Sequence, residues 1–207
     1  MNPPKPYYHD LKKVKAILLG ADPSNNSDNG LAVQLEYVFS INGKDKRYFA
    51  GIARNLEEIG LSQDDIYAQN LIQEYQEAET GQNKNWEAEA EKWVEPLKQE
   101  LDSFDPEKRI PVLVTAQVIF KALTDKKLPS PKEIYSSRAD GIVQPDENRL
   151  GRSLLPFYRH YSYALSNVEY KKYKETVRNL VEGSGHKVLE HLSALYSDLI
   201  KMKNIIP

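Results

Sequence analysis

The chain has no cysteine among its 207 residues, and only four residues are histidine. The absence of cysteine excludes disulfides, zinc–thiolate sites, cysteine nucleophiles and iron–sulfur clusters. The histidines offer little material for a metal centre, since His186 and His191 are five positions apart and do not share a helix face as an i, i+4 pair would. We therefore expect a protein that works without a metal ion or a cofactor.

Long apolar runs are also absent, because no stretch approaches the roughly 20 residues of a membrane-spanning helix. The first residues, MNPPKPYYHDLKK, lack the apolar stretch of a signal peptide, so a cytoplasmic location is expected. The net charge of −2 is mild evidence against strong non-specific binding to nucleic acid. It does not exclude such binding, because one local basic surface can suffice.

One stretch, residues 149–178, combines basic residues with tyrosines. It is interpreted either as a solvated amphipathic surface or as a surface that holds a nucleic-acid strand. The basic residues are Arg149, Arg152, Arg159, Lys171, Lys172, Lys174 and Arg178, and the tyrosines are Tyr158, Tyr161, Tyr163, Tyr170 and Tyr173.

Short apolar segments alternate with segments of helical periodicity, which is typical of a parallel sheet covered by helices on both faces. Gly60 is expected to end the first helix, Pro96 to kink or divide the second, and residues 126–151 to form a long connection. Strands are predicted over 14–19, 65–72, 110–114 and 154–158, and helices over 47–59, 84–101, 117–123, 169–181 and 187–202.

This alternation predicts a single domain over residues 1–207. Its fold is expected to be a three-layer α/β/α sandwich with a mostly parallel central sheet of about four strands. The C-terminal helix, 187–202, has an apolar stripe and is expected to pack on this domain. Because ligands bind outside the carboxyl ends of the strands in such sheets, the residues that follow the strands are the candidates for function.

The first predicted strand ends in Gly20-Ala21-Asp22-Pro23. Glycine allows a tight turn, and proline fixes the backbone directly after Asp22. The carboxylate is therefore expected on a stiff loop at the mouth of the sheet. A plain turn is the alternative interpretation, because Asp-Pro is common in loops.

Three further residues could complete a site with Asp22. Asn70 ends the second strand with a primary amide, which can donate to and accept from a nucleobase edge, although taken alone a turn-capping role explains it better. His160 lies in the loop that leaves the fourth strand, where a lone histidine is usually structural. Phe39 offers a ring for base stacking, or else belongs to the core.

Taken in order, the segments GADPS and VFSI, an asparagine at a strand end, and RHYSYALS resemble the uracil-DNA glycosylase superfamily. The first motif of that family reads approximately Gly-Gln-Asp-Pro-Tyr, and the second reads His-Pro-Ser-Pro-Leu. The resemblance extends from the first strand to the loop after the fourth. It suggests a divergent member without cysteine, which excludes the iron–sulfur branches of the superfamily.

The resemblance implies roles for the matched residues. Asp22 would position the water and stabilise the sugar cation, and His160 would stabilise the departing base. Phe39 would stack on the base while Asn70 reads its edge. Cleavage of a glycosidic bond passes through an oxocarbenium-like state, so a carboxylate near the sugar and a donor at the base are chemically suited to it.

Two base-binding positions depart from the family motif. Ala21 stands where the family has Gln, so a polar side chain near the base is missing. Ser24 stands where the family has Tyr, the residue that blocks the thymine methyl in the most specific members. The resemblance therefore implies a more open pocket, which is not expected to select strictly for uracil.

The second motif supplies the expected DNA-binding residues. Ser162 would contact the flanking phosphate, and Ala164 or Leu165 would fill the place in the stack that the flipped base leaves. Ser166 follows them in the same loop. Tyr161 replaces the first proline of the motif, and the loop is one residue longer before Leu165.

The resemblance implies a monomeric DNA glycosylase that hydrolyses the N-glycosidic bond of uracil or a related deaminated base during base excision repair. One alternative is a non-catalytic or repurposed protein of the same fold that binds a nucleobase, a nucleotide or nucleic acid. Another is an unrelated α/β protein with a chance match. A structure with Asp22, Asn70 and His160 on different faces would establish this last alternative.

Overall fold

A computed structural model describes residues 2–23, 34–43, 47–76, 78–136 and 141–183. Its strands are β1 (Ala16–Gly20), β2 (Ile66–Asn70), β3 (Val112–Val114) and β4 (Leu154–Pro156). They form a four-stranded sheet in the order β2-β1-β3-β4, and all neighbouring strands are parallel. The predicted parallel sheet is therefore confirmed.

Helices follow the strands, as the alternating pattern predicts. The described helices are α1 (Arg47–Glu58), α2 (Trp86–Phe104), α3 (Gln117–Leu123) and α4 (Pro131–Tyr135), and residues 171–183 are also helical. Gly60 follows α1 with a φ of 79°, the left-handed conformation that glycine adopts at helix ends. None of the helices in the described ranges is long and apolar enough to cross a membrane.

The sheet is covered on both faces, because every strand residue is buried. The connection from β1 to β2 crosses in one direction and those from β2 to β3 and from β3 to β4 cross in the other. Right-handed crossovers therefore place α1 on one face and α2 with α3 on the opposite face. α2 and α3 pack against each other. The expected three-layer α/β/α arrangement is confirmed.

The helical residues 171–183 share the layer of α1. Nζ of Lys174 lies 2.7 Å from a carboxylate oxygen of Glu58, at the end of α1. The Arg178 guanidinium donates to the carbonyl oxygen of the same Glu58 at 2.7 Å. The predicted helix 187–202 lies outside the described residues and stays a prediction.

Pro96 does not divide its helix, contrary to one of the two effects expected of it. α2 runs without a break through Pro96, which is exposed. A proline inside a helix costs about 3 kcal/mol through one lost hydrogen bond and one steric conflict. The helix withstands this cost because it buries one side along its whole length, through Trp86, Ala90, Val94, Leu97 and Leu101.

The long connection 126–151 contains a short helix that the periodicity did not predict. α4 begins after Ser130, whose side chain accepts from the backbone of Glu133, while the Glu133 side chain accepts from the backbone of Ser130. Pro131 occupies the first helical position. Ser-Pro-Lys-Glu is a capping signature, so the local sequence did contain the signal for this helix.

Tyr135 of α4 anchors the chain as it leaves β4. Its hydroxyl donates to the carbonyl oxygen of Pro156 at 3.3 Å and accepts from the backbone N–H of Tyr158 at 2.8 Å. Its ring packs against the rings of Tyr158, Tyr163, Tyr170 and Tyr173, with centroid distances of 5.8, 5.3, 5.2 and 4.7 Å. These tyrosines therefore form a cluster beneath the loop that carries His160.

Burial in this cluster raises the pKa of the Tyr135 and Tyr158 hydroxyls well above the usual value. Both groups hold their protons more tightly in the folded than in the unfolded chain. Their contribution to stability is therefore complete below about pH 10, the unfolded value, and is lost as the pH rises above it.

Removing the two hydroxyls one at a time should have different effects on stability. Tyr135→Phe should lower the free energy of unfolding by about 1–3 kcal/mol at pH 7, because it leaves the buried Tyr158 N–H without its acceptor. Tyr158→Phe should be neutral or stabilising, because within the described chain that buried hydroxyl has no hydrogen-bond partner. Tyr158→Phe should also weaken the loss of stability above about pH 10. Urea unfolding at pH 7 and 10.5 checks this, and equal losses in both variants would contradict it.

Candidate functional site at the carboxyl ends of the strands

The register of the sheet brings the carboxyl ends of the strands to one edge. Gly20 pairs with Asn70, Leu19 with Val114, and Val114 with Pro156. Asp22, Asn70 and the loop that carries His160 therefore lie on the same edge, not on different faces of the molecule. β3 separates β1 from β4, so the loops after β1 and β4 begin roughly 10 Å apart, twice the spacing between strands.

Gly20 is the point at which two of the predicted base-binding residues meet. A Cβ atom at residue 20 would lie 2.1 Å from Oδ1 of Asn70 and 2.8 Å from Cζ of Phe39. Both distances are too short for any side chain, so only glycine permits this arrangement. Among the described glycines, only Gly60 and Gly151 have a positive φ. The expected reason for Gly20, a tight turn, is therefore wrong, and the observed reason is space.

Phe39 has a strained backbone. Its φ of 58° and ψ of 14° lie in the left-handed region, which costs a bulky residue on the order of 1–2 kcal/mol. The next residue, Ser40, has a φ of 54°. Such strain persists only where the surroundings determine the conformation, and it is concentrated at functional sites. The Phe39 ring is buried against Gly20, which is where the strain places it.

The segment before Phe39 is fixed to the N-terminal residues. The Lys5 N–H donates to the carbonyl of Glu36 at 2.9 Å, and the Val38 N–H donates to the carbonyl of Lys5 at 3.0 Å. Tyr7 in turn exchanges two backbone hydrogen bonds with Ala68 of β2. The N-terminal strand-like segment thus ties the Phe39 turn to the strand that ends in Asn70.

Asn70 is buried at the end of β2, and its surroundings fix the backbone on both sides. Its N–H donates to Oε1 of Gln69 at 2.9 Å. The pairing of β1 with β2 continues beyond the strand ends, because the Ile72 N–H donates to the carbonyl of Ala21 at 2.9 Å. Ala21 is partly buried at this edge. Ser24, the other expected base-binding residue, lies outside the described residues.

Asp22 is only 7% exposed and is held from outside its own loop. Its Oδ2 accepts from the Thr80 hydroxyl at 2.6 Å and from the Trp86 indole N–H at 2.7 Å. Its Oδ1 is buried and has no hydrogen-bond partner within the described chain. Because an unsatisfied buried carboxylate oxygen is costly, this atom is suited to accept from a bound ligand or a water molecule.

His160 is exposed and begins the short turn Tyr161–Tyr163. Its Nδ1 accepts from the backbone N–H of Ser162 at 3.3 Å. A neutral imidazole that accepts at Nδ1 carries its proton on Nε2, so Nε2 is a hydrogen-bond donor. This geometry fits the implied role, a donor to the oxygen of a departing base.

Leu165, one of the two residues expected to fill the emptied base stack, is fully buried, so its side chain cannot enter a base stack in this conformation. Its position is set by Asn55 of α1, whose Oδ1 accepts from the Leu165 N–H at 2.9 Å and whose Nδ2 donates to the carbonyl of Tyr163 at 3.3 Å. Ala164 is partly buried, whereas Ser162 and Ser166 are exposed. The large exposed side chain in this loop is Tyr161, at 84%.

The basic and tyrosine-rich stretch does not form one open surface. Arg152 is fully buried and pairs with Asp105 and, at 2.7 Å, with Asp102. Arg149 pairs with Glu91. Tyr158, Tyr170 and Tyr173 are buried in the cluster around Tyr135. Neither of the two interpretations of this stretch, a solvated amphipathic surface or a surface that holds a nucleic-acid strand, fits these residues, because internal pairing and packing occupy them.

Sequence reasoning missed the residues that hold the predicted ones in place. Thr80 has no motif around it, and Trp86 lies on the apolar side of α2, where a tryptophan indicates core packing. Asn55 did carry a signal, since it lies three residues after Ile52 and four before Ile59, on the apolar face of an amphipathic helix. No three His, Asp or Glu side chains among residues of the described ranges are arranged to hold a metal ion.

The sequence matches no protein-family model, and no curated protein is detectably similar to it.

The close approach at Gly20 predicts a large effect from the smallest side chain. Gly20→Ala should lower the free energy of unfolding by about 1–3 kcal/mol, because a methyl group there displaces Asn70 and Phe39. Gly81→Ala is the matched control, since nothing lies within 4 Å of its Cβ position. Urea unfolding of the two variants measures the difference. Equal stabilities would show that the site relaxes without cost.

Proposed function

We propose that this chain is a DNA glycosylase that hydrolyses the N-glycosidic bond of uracil or a related deaminated base in DNA. The observation that carries the proposal is the Asp22 carboxylate. It is buried, one of its oxygens is unused within the described chain, and it lies two residues beyond the contact of Gly20 with Phe39 and Asn70. A fixed anion beside a base-binding position is what an oxocarbenium-like transition state requires.

Phe39 and Asn70 supply recognition of the base in this proposal. The Phe39 ring, which is 5% exposed in this structure, would supply the stacking face once a base enters, and stacking on an aromatic ring contributes about 1–3 kcal/mol per base. The Asn70 amide has both donors and an acceptor, which match the alternating acceptor and donor groups of a uracil edge. Gly20 lets both side chains approach the same point of the backbone, so in this proposal they would hold a base in one orientation.

Asp22 and His160 would stabilise the two opposite charges that develop in the transition state. Cleavage puts positive charge on the sugar and negative charge on the departing base. Asp22 would stabilise the sugar cation and orient water through Oδ1, while Nε2–H of His160 would donate to an oxygen of the base. The loops that carry them leave β1 and β4 at the same edge of the sheet, with β3 between the two strands, and in the proposal the nucleoside lies between these loops.

The loop after β4 would contact the DNA around the extruded nucleotide. Extrusion of a base costs a few kcal/mol, part of which is regained when a side chain fills or covers the emptied stack. Leu165 is buried, so Tyr161 takes this role in the proposal. Its ring lies beside that of His160, with centroids 4.3 Å apart, and Ser162 follows with an exposed side chain for the phosphate.

A second candidate function is binding of a nucleobase or nucleotide without catalysis. The ion pairs favour it, because Arg149, Arg152 and Lys174 are all paired with carboxylates of the same chain. With a net charge of −2, the protein then has little electrostatic attraction for duplex DNA. A binding protein keeps its function when Asp22 becomes Asn, whereas a glycosylase loses turnover.

The direct test is a cleavage assay with Asp22→Asn as the comparison. Labelled single- and double-stranded oligonucleotides carrying uracil, hypoxanthine or xanthine are incubated with protein, and abasic sites are detected by alkaline strand scission. The wild type should release at least one of these bases. Asp22→Asn, which keeps shape and removes charge, should reduce the single-turnover rate by about 10²–10³-fold.

Asp64→Asn is the matched control, because Asp64 is an exposed aspartate away from this edge of the sheet. It should cleave at the wild-type rate. Failure of the wild type to release any of the three bases would contradict the proposal and favour the binding function. Equal rates for wild type and Asp22→Asn would also contradict it.

Asn70 should determine which base is accepted. Asn70→Ala should reduce the preference of the enzyme for its best base over the other two by about 10- to 100-fold, since a site built to hydrogen-bond its substrate discriminates by about 1–3 kcal/mol. The ratio of kcat/KM values on the three oligonucleotides measures the preference. An unchanged ratio would show that the amide does not read the base.

A further inference from the structure

Two donors from a distant part of the chain hold one oxygen of Asp22. Thr80 lies in the connection between β2 and α2, and Trp86 is the first residue of α2. Both donate to Oδ2, at 2.6 and 2.7 Å, and neither donates to Oδ1. The carboxylate is therefore fixed in one orientation, with its bonded oxygen toward α2 and its other oxygen unused within the described chain.

We propose that Thr80 and Trp86 are positioning residues that set the orientation of the Asp22 carboxylate for catalysis. This inference rests on the proposed glycosylase function. Neither residue would touch the substrate, and both would act through Asp22. Without them the carboxylate could rotate about its side-chain bonds, and the oxygen that faces the substrate would no longer be fixed.

The strength of the two hydrogen bonds to Asp22 depends on the charge of the acceptor. Hydrogen bonds to an ionised group are shorter and roughly twice as strong as those between neutral groups. Asp22 is 7% exposed, so water cannot replace a lost donor as it would at a surface. Two donors on one oxygen of a buried carboxylate therefore restrict its rotation about the side-chain bonds.

The competing interpretation is structural, with Asp22 serving only as the acceptor for a buried indole N–H. Trp86 is 2% exposed and packs in the core, so its N–H needs a partner wherever it lies. A core role accounts for Trp86 alone. It does not account for Thr80, a hydroxyl that reaches the same oxygen from a different segment.

Thr80 provides the sharper test, because both a nearly isosteric and a conservative variant exist. Thr80→Val removes the hydroxyl and should lower kcat for base release by about 10- to 100-fold, with KM changed less than about twofold. Thr80→Ser keeps the donor and should retain kcat within about threefold of wild type. Thr80→Val should melt a few degrees lower than Thr80→Ser, because it loses a hydrogen bond to a buried carboxylate. Thermal unfolding checks that both variants are folded at the assay temperature, and the change in kcat without a change in KM then separates positioning from stability.

Trp86→Phe should lower kcat in the same way, and Trp93→Phe is its matched control. Trp93 lies on the same helix and is partly buried against the core, but it does not bond Asp22 in this structure. The double variant Thr80→Val/Trp86→Phe should fall no lower than Asp22→Asn, because residues that act through one group are not additive.

The two indole groups also allow a test that does not depend on activity. The chain has two tryptophans, so a spectrum of ¹⁵N-labelled protein contains two indole N–H signals. Asp22→Asn should move the Trp86 signal and leave the Trp93 signal in place. An unmoved Trp86 signal would overturn the positioning role whether or not the protein cleaves DNA.

The outcomes separate this inference from the function on which it rests. If wild type releases a base but Thr80→Val keeps full kcat, or Thr80→Ser loses as much as Thr80→Val, the positioning role fails and the glycosylase proposal stands. If wild type releases no base, the glycosylase proposal fails, and the catalytic role of Thr80 fails as well. Loss in Thr80→Val with recovery in Thr80→Ser supports both.

Discussion

The candidate site depends on one constraint, which is that residue 20 is a glycine and has no side chain. Asn70 and Phe39 belong to segments about 30 residues apart, and they meet only because residue 20 leaves room for an amide oxygen and a ring edge. The strained backbone of Phe39 adds to this picture, since its left-handed conformation points the ring into that space. The turn, the strand end and the glycine therefore form one unit.

Much of the fold could be predicted from periodicity. The four strands and three longest described helices were predicted to within a few residues, because buried parallel strands are continuous apolar runs and amphipathic helices repeat at 3.6 residues. The order β2-β1-β3-β4 is not visible in such patterns, since it depends on which strands pair across long connections. α4 was not predicted for a different reason. Its capping residues are present in the sequence, but a helix of five residues is too short to show a helical periodicity.

The candidate site could be predicted only as a set of strand-end residues. Asp22 and Asn70 follow paired strands, so a parallel sheet is enough to place them at one edge. The residues that orient the Asp22 side chain are distant from it in the sequence. Asp22 follows β1, whereas Thr80 and Trp86 follow β2, and no local sequence pattern marks either of them. Either Ala164 or Leu165 was expected to fill the emptied base stack, yet the Leu165 side chain is buried and its N–H donates to Asn55 of α1. Tertiary hydrogen bonds decide such cases, and one-dimensional patterns do not contain them.

The charges of the stretch 149–178 constrain how such a site would hold DNA. Non-specific affinity comes mainly from cations that release counterions from phosphates, and it falls steeply with salt. Here Arg152 stabilises the turn between Asp102 and Asp105, and Lys174 joins the helical residues 171–183 to α1. Cations committed to internal pairs contribute little to phosphate binding. Affinity would then come mostly from the base itself, through stacking on Phe39 and the amide of Asn70, contacts that depend weakly on salt. A nucleotide already unpaired or mismatched suits such a site best, because little binding energy remains to extrude a base from intact duplex.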